Sequence, residues 1–346
     1  MSSAFICLYP DVSVVIPTYN GGQWLLETID SCFQQQLTSL EVIVVDDAST
    51  DYTPDRIATA YPQVRLIRQP HNSGSGAHGR NTGLQLARGH YVKFLDHDDL
   101  LEHGTLMLEI DAAEKQNADM VMARWGDVRF DEQGELIEKT RRSFIPPEPQ
   151  RLIEAILLGE KVPYTAGVLY RRSFIAEQRW DERLTINDDF DWFCRNALRT
   201  DRIVRLEHVS YYWRLHTSSI QGSQNLNPQA FVESVYIHNH IYRGIVTILS
   251  EQQRLTPSYR SLLARQLYRD LRVLARFNFA RCRQTLRCIS TLQPGFQPDA
   301  GLEPSRWLRL ASGWLGLKLT LRLYRWLLFL PDQVRFRGGS IRFFEA

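Results

Sequence analysis

Over the first 130 residues, short apolar runs rich in β-branched side chains alternate with segments whose apolar positions recur every three to four residues. Residues 12–17, 41–45, 64–68, 91–95 and 120–123 read as strands. Residues 23–36, with Trp24, Leu25, Ile29 and Phe33 at helical spacing, read as a helix, as do 54–60, 79–87 and 104–115. Near-continuous apolar strands separated by helices predict βαβ units and a largely parallel sheet covered on both faces. The expected class is therefore α/β, a Rossmann-like, mostly parallel sheet flanked by helices. In such sheets ligands bind beyond the carboxyl ends of the strands. Chemistry is to be sought just after each strand.

The pattern then changes. Residues 126–163 are polar and carry Pro146, Pro147, Pro149 and Pro163, which predicts an irregular insertion or a hairpin. Residues 165–170 read as a strand and 188–199 as a helix, with Asn187 placed as its N-cap. Residues 203–206 and 211–215 read as two further strands. The Ser-, Gln- and Asn-rich stretch 218–230 marks a boundary, dividing the chain into 1–225 and 226–346. From 231 to about 290 the spacing is helical, and no internal repeat is visible.

Composition sharpens this division. The 346 residues are 44% hydrophobic and 23% charged, the range of globular proteins, which excludes a disordered or fibrous chain. The net charge of +2 conceals an asymmetry: 1–225 holds 23 basic and 32 acidic residues, whereas 226–346 holds 18 basic and 7 acidic. Such an asymmetry predicts two parts with different partners. The five cysteines, at 7, 32, 194, 282 and 288, are odd in number and match no zinc or disulfide framework, so a reducing compartment is expected. The first residues show neither a basic n-region nor a long apolar run, so no signal peptide is read. No uninterrupted apolar stretch of ~18 residues predicts a membrane span.

Two strand ends are crowded with carboxylates. The second predicted strand runs into Asp46, Asp47 and Asp51, and the fourth into Asp96, His97, Asp98 and Asp99. Like charges at close range repel, and a hard divalent cation relieves that repulsion through oxygen ligands. Turn formation and helix capping compete as explanations for short acidic loops, but two clusters at two ends of one sheet favour chemistry. Gly74, Gly76 and Gly79 spell G-x-G-x-x-G, which could be read as a dinucleotide fingerprint. Five residues separate it from the preceding strand and it follows the third strand, so a flexible loop leading Arg80 and Asn81 into a helix is preferred. Arg80 is a candidate for a diphosphate, because the guanidinium fork suits phosphate oxygens. A solvated surface arginine is the alternative.

Together the run from Val12 to Asn20 (VSVVIPTYN), the run from Val45 to Asp51 (VDDASTD), Arg80-Asn81-Thr82-Gly83, and Phe94-Leu95-Asp96-His97-Asp98-Asp99 resemble the ordered motifs of family 2 glycosyltransferases with the GT-A fold. The resemblance spans about residues 11–220, and four motifs in order are more specific than any one. It implies an inverting, metal-dependent transfer of a sugar from a nucleoside-diphosphate donor to a hydroxyl acceptor, with bacterial-type polysaccharide, glycolipid or envelope glycan synthesis as the setting. It also implies residue roles. Pro17, Thr18, Tyr19, Asn20, Asp46 and Asp47 would hold the nucleoside, with Asp47 accepting the imide N–H of a uracil, which favours a UDP-sugar. Arg80, Asn81 and Asp96 would contact the donor. Asp96 with Asp98 or Asp99 would bind Mn or Mg. The acidic pair before a helix that carries Trp and Arg is found as Asp188 and Asp189, with Asp188 standing where the family usually has Glu. Asp189 matches the general base. Asp188, Asp191 and Trp192 are candidate acceptor or helix contacts, and acids at a helix start also suit its dipole. His216, in an element of His and Ser after the last strand, is a candidate diphosphate or metal contact. Cys194 reads as core.

The basic rear has a different character. Residues 259–287 carry eight arginines and one acid, and 305–330 carry Trp307, Trp314 and Trp326 with five basic residues and no acid. Basic, Trp-bearing amphipathic helices suit a membrane interface. Attachment to an anionic leaflet, packing on the catalytic part or in a homo-oligomer, and nucleic-acid binding compete here. The last lacks any recognised module, so no nucleic-acid partner is expected. The expected location is cytoplasmic, peripheral on the inner face of the membrane, with a saccharide or lipid-linked acceptor. A catalytically silent nucleotide-sugar-binding scaffold and an NAD-dependent oxidoreductase are the alternatives.

Overall fold

The computed structural model describes residues 10–35, 37, 39–131, 136–163, 165–216, 228–277, 281–302, 312 and 316–321. The chain forms two compact units, Met1–Leu262 and Leu263–Ala346. The expected division near 225 falls inside the first.

The first unit is built on one nine-stranded sheet. Its parallel half comes from three successive βα steps. Strands β1 (Val12–Thr18), β2 (Leu40–Asp46), β3 (Arg65–Arg68) and β4 (Tyr91–Phe94) alternate with helices α1 (Gly22–Phe33), α2 (Thr53–Ala60) and α3 (Gly76–Leu86). β1, β2 and β4 are buried along almost their whole length, as their continuous apolar sequence requires. A short β5 (Leu100–Leu101) and helix α4 (Thr105–Lys115) lead into β6 (Met120–Phe130), β7 (Leu136–Phe144), helix α5 (Leu152–Leu158), β8 (Val168–Arg171), helices α6 (Arg172–Ile175) and α7 (Asp188–Ala197), and β9 (Ile203–Arg214). The order is β3-β2-β1-β4-β8-β6-β9-β5, with β7 on β6. β8 runs antiparallel to β4 and to β6, while β6 and β9 run parallel, so the second half is mixed.

Several expected boundaries move. The 126–163 stretch holds a true hairpin, β6–β7, followed by α5. The two strands expected at 203–206 and 211–215 are one strand, β9, because irregular registers near Arg124 let it follow β6 throughout. Residues Thr165–Gly167 form a 3-10 turn before β8. Asn187 precedes α7 but takes a left-handed φ of 55°, makes no side-chain cap, and donates Nδ2 to Ser234 Oγ at 3.4 Å instead. Gly76 and Gly79 lie inside the first turn of α3 rather than in a loop. A Cβ on Gly79 would lie 2.9 Å from Pro17 Cβ, and one on Gly83 2.2 Å from Val15 Cγ1. These glycines seat α3 directly on β1, which is a packing role and leaves no dinucleotide fingerprint.

Helix α8 (Pro228–Glu251) also belongs to the first unit. Tyr242 Oη donates to the Ile156 carbonyl at 2.6 Å, and the His238 ring lies along that of Phe190, with centroids 5.8 Å apart. These contacts join α8 to α5 and to the start of α7. In the second unit, helix α9 (Pro257–Phe277), from Leu263 onward, buries Leu263, Leu267, Leu271 and Leu274, and helix α10 (Cys282–Leu292) buries Cys282, Leu286, Ile289 and Leu292. Among the described residues, no helix is long and apolar enough to cross a membrane, and Cys32, Cys194, Cys282 and Cys288 form no disulfide.

Candidate active site

The loops after β1 and β2 are pinned to one another. Asn20 adopts a φ of 52°, donates its N–H to Ser49 Oγ at 2.8 Å and accepts from Thr50 N–H at 2.9 Å. Asp46 is fully buried, accepts from Ser49 N–H at 3.2 Å and pairs with Arg68 at 3.5 Å, so it shapes the turn rather than facing a ligand. Asp47 is half-buried. Its N–H donates to the Thr18 carbonyl at 2.8 Å, and its carboxylate accepts from Ser73 N–H and Oγ at 2.9–3.0 Å. Two acceptors on a carboxylate with about four lone-pair sites leave capacity for a further donor. Tyr19 is 44% exposed beside these loops, whereas Pro17 is buried under Gly79. Thr18 Oγ1 is buried with no protein partner.

The second locus is Arg80, on the first turns of α3. It was expected at the surface or on a phosphate. Its side chain is only 8% exposed, lies over Trp180 at 4.7 Å, and spends both ends of its fork on carboxylates. Nη2 donates to Asp96 at 2.6 Å and Nη1 to Asp188 at 2.7 Å. One guanidinium thus joins the turn after β4 to the start of α7. Asn81, expected at the donor, is buried and clamps another segment: Nδ2 donates to the Trp180 carbonyl and to Glu182, and Oδ1 accepts from Trp180 N–H.

Beside this cation sits Asp189, whose Oδ1 accepts from Phe190 N–H at 2.8 Å. Burial first, then the charge of Asp188, push its pKa up to about 7, against the opposing pull of the Phe190 N–H and of Arg80. Burial likewise raises Asp188, and Arg80 offsets part of the effect. Asp191 turns away and pairs with Arg195 one turn later at 2.7 Å. Trp192 is 1% exposed and stacks on Trp180 with centroids 4.6 Å apart, so it is core and not an acceptor contact. Cys194 is buried with its thiol raised by desolvation, consistent with core.

The turn after β4 divides its carboxylates. Asp96, 40% exposed, meets Arg80. Asp98 lies 2.9 Å from His216 Nε2. Burial alone would raise Asp98, but the His216 hydrogen bond and the charges of His97 and His216 bring it below the ordinary value. Asp99 goes the other way. It is 4% exposed and accepts from Arg214 N–H at 3.1 Å, while burial and then its two aspartate neighbours hold its pKa well above the ordinary range. Asp99 therefore ties the turn to β9.

Sequence reasoning missed the residues that hold this turn. Arg214, the last residue of β9, donates Nε to the Asp98 carbonyl at 2.8 Å and Nη2 to Glu27 at 2.6 Å, and lies over Phe130 at 4.3 Å. Trp24 packs against the His216 ring, with centroids 4.4 Å apart. The only cue to Arg214 was a lone arginine in an aromatic strand two residues before His216.

Asp98, His216 and the more open Asp96 suit a divalent cation, for carboxylate and imidazole are both common ligands. Among the described residues no three His, Cys, Asp or Glu side chains converge on one point.

The family model described as "Glycosyl transferase family 2" matches residues 13–178. An uncharacterized glycosyltransferase, YibD of Escherichia coli (strain K12), is 32% identical over 237 residues, covering 63% of this chain and 67% of that one. The succinoglycan biosynthesis protein ExoO of Rhizobium meliloti (strain 1021) is 30% identical over 190 residues, 52% of this chain, which spans only about half, 54%, of that relative's length. The crystal structure of S. aureus TarS 1-349 in complex with UDP has a TM-score of 0.58 over 94% of both chains at 20% identity, a likeness of fold.

Proposed function

From the premise that the chain belongs to glycosyl transferase family 2 and has its GT-A fold, we propose that it transfers a sugar from a nucleoside-diphosphate donor to a hydroxyl of a glycan-type acceptor, with inversion. One observation carries the reading. A single buried guanidinium, Arg80, holds Asp96 of the donor-side turn and Asp188, the neighbour of Asp189, within the width of one side chain.

Asp47, with its spare acceptor capacity beside Tyr19, would take the imide N–H of uracil, which favours a UDP-sugar. Asp98 and His216, with Asp96 beside them, would hold Mn or Mg against the diphosphate. When bound, that ion neutralises charge growing on the leaving group. The acceptor hydroxyl would lose its proton to Asp189 as its oxygen attacks the anomeric carbon. A base poised near 7 is half ionised at neutral pH and contributes ~10²–10⁴-fold. One displacement inverts the centre, so no covalent intermediate and no Cys or Ser nucleophile is required. Arg80 would orient the base helix rather than grip phosphate, because its fork is already occupied.

The exposed Arg269, Arg283 and Arg287 of the second unit fit an anionic lipid surface, which would bring the enzyme to a lipid-linked acceptor. The test of the catalytic reading is calorimetric titration of UDP and GDP into the full chain with and without Mn. UDP is expected to bind more tightly with Mn, and Asp98→Ala to abolish the difference. Equal binding with and without metal, or no binding of either nucleotide, would overturn it.

A further inference from the structure

Between α6 and α7, residues 176–187 form neither helix nor strand, yet Trp180 in their middle is 2% exposed. Irregular chain normally runs over the surface, where water satisfies its backbone groups. Here a side chain does so. Asn81 of α3 is 6% exposed, accepts the Trp180 N–H on Oδ1 at 2.8 Å and donates Nδ2 to the Trp180 carbonyl at 3.0 Å. The amide pairs with residue 180 as a neighbouring strand would, exchanging both bonds with one residue. Nδ2 also donates to Glu182 Oε1 at 2.7 Å, and Glu182 Oε2 lies 3.0 Å from His78 Nδ1, three residues earlier on α3. Burial would raise the Glu182 carboxyl, but the hydrogen bonds from Asn81 and His78 and the charge of His78 bring it below the ordinary value. On the other side, Arg195 of α7 donates Nη2 to the Arg179 carbonyl at 3.0 Å. The stretch is thus bonded to α3 and to α7 at once.

What this grip holds is the Trp180 ring. The ring has no hydrogen bond of its own: its indole N–H is buried without a partner among the described residues, an unfavourable state. Its placement therefore comes from packing and from the backbone at residue 180. Trp192 of α7 stacks on it, with centroids 4.6 Å apart and planes 4° from parallel. Phe94, the last residue of β4, meets both indoles edge-on, at 5.1 Å and 5.7 Å. The Arg80 guanidinium lies over the Trp180 ring at 4.7 Å, an arrangement favoured by the negative face of an indole. One ring therefore touches both the cation that holds Asp96 and Asp188 and the helix that carries Asp189. Residues 80 and 81 are adjacent on α3, so this cation and the clamp on its aromatic support rise from the same turn.

We propose that Asn81 and Glu182 are positioning residues: acting through Trp180, they set the plane of the Arg80 guanidinium and the seat of α7, and so the place of Asp189 relative to the turn after β4. The catalytic meaning of that placement rests on the transferase reading, whereas the mechanical link from residue 81 to α7 does not. Asn81→Asp keeps the size of the side chain and the acceptor for the Trp180 N–H, but sets a carboxylate oxygen against the Trp180 carbonyl and Glu182. Adding Glu182→Gln gives that oxygen a donor again.

The first readout needs no substrate. In ¹H–¹⁵N spectra of the full chain, the indole signals of residues 180 and 192 are identified by Trp180→Phe and Trp192→Phe. Asn81→Asp is expected to shift the Trp192 signal, and the added Glu182→Gln to return it towards the wild-type position. Glu182→Ala, at the 47% exposed end of the clamp, carries the same expectation at smaller amplitude should Asn81→Asp not fold. The second readout is release of UDP from UDP-glucose and UDP-N-acetylglucosamine with Mn, water standing in for the acceptor hydroxyl. Asn81→Asp should lower kcat by ~10²-fold, the cost of a misplacement of about 1 Å, with the double variant recovering most of it. UDP affinity should stay at the wild-type value, because the Asp47–Ser73 and Asp98–His216 pairs lie outside the clamp. An unmoved Trp192 signal in the folded variant, no return of that signal in the double variant, or a fall in UDP affinity as large as that in kcat would overturn the proposal. A wild type that neither binds UDP with Mn nor releases it from either donor, with the Trp192 shift and its reversal intact, would instead sink the transferase reading alone.

Discussion

Replacing Asp189 by Asn should abolish turnover and at the same time stabilise the fold, with a gain that depends on pH. The cause is the environment of the carboxyl. Burial and Asp188 lift it from an ordinary 3.8 to about 7. A raised acid disfavours the native state only once the unfolded chain has lost the proton that the native one keeps. Below about pH 4 both states are protonated and the group contributes nothing. Between about 4 and 7 the native state holds more protons, so stability falls as pH rises. Above about 7 the penalty is complete. At 1.36 kcal/mol per pKa unit its ceiling is about 4 kcal/mol, and Arg80 and residual water access keep the realised value below that. Asn still accepts from the Phe190 N–H, so the helix start is preserved. Unfolding of the wild type and of Asp189→Asn would be followed calorimetrically at intervals from pH 4 to pH 8.5. The variant should match the wild type at the acid end and exceed it by several degrees at the alkaline end, at about 2–4 °C per kcal/mol for a unit of this size. A gain that is flat with pH, or a loss at pH 8, would show that Asp189 is not held protonated by its surroundings and would remove the argument for it as a tuned base.

Two further changes probe the parts that surround it. Arg80→Met leaves Asp96, Asp188 and Asp189 without their shared cation. Removing one partner of a buried pair costs ~3–5 kcal/mol, and the low end applies because Asp96 is 40% exposed. Urea denaturation at pH 8 should show about 3 kcal/mol lost, with Arg80→Lys restoring only part, since an ammonium cannot reproduce a fork that meets two carboxylates; a loss below ~1 kcal/mol would refute the bridge. In the second unit, the double change Arg283→Glu and Arg287→Glu should cut co-sedimentation with phosphatidylglycerol vesicles more than tenfold, at ~1 kcal/mol per basic residue near an anionic surface. Unchanged retention, or equal binding to phosphatidylcholine, would refute lipid attachment.

The parallel half of the sheet was legible because its central strands β1 and β2 bury both faces and announce themselves as runs of Val and Ile. The mixed half was not. β6 continues past Ala123 through Arg124, Asp127 and Arg129, polar residues that interrupt the apolar signal, yet Arg124 pairs with β9, Arg129 with β7 and Asp127 with both. β9 likewise carries Glu207 and His208 mid-strand, at the register shift where its pairing with β6 passes from Met122 opposite Arg205 to Arg124 opposite Val209. Register supplies what local pattern lacks, and register depends on partners tens of residues away.

The same limit explains the site. Spacing located the carboxylates, because an acidic cluster at a strand end is a local fact. It could not assign their work, because each carboxylate's role is set by a distant cation or ring. Asp98 and Asp99 are adjacent in sequence and indistinguishable there. In the fold one meets His216 and the other is sealed against the Arg214 backbone, so their pKa values move in opposite directions. Arg80 makes the converse case. An arginine after a glycine-rich stretch reads as a phosphate clamp only while its carboxylate partners, 16 and 108 residues away, are out of sight. Once both are in place, Nη1 and Nη2 are each engaged by a carboxylate. It is the joint between the turn after β4 and the start of α7, and any substitution there must act on both together.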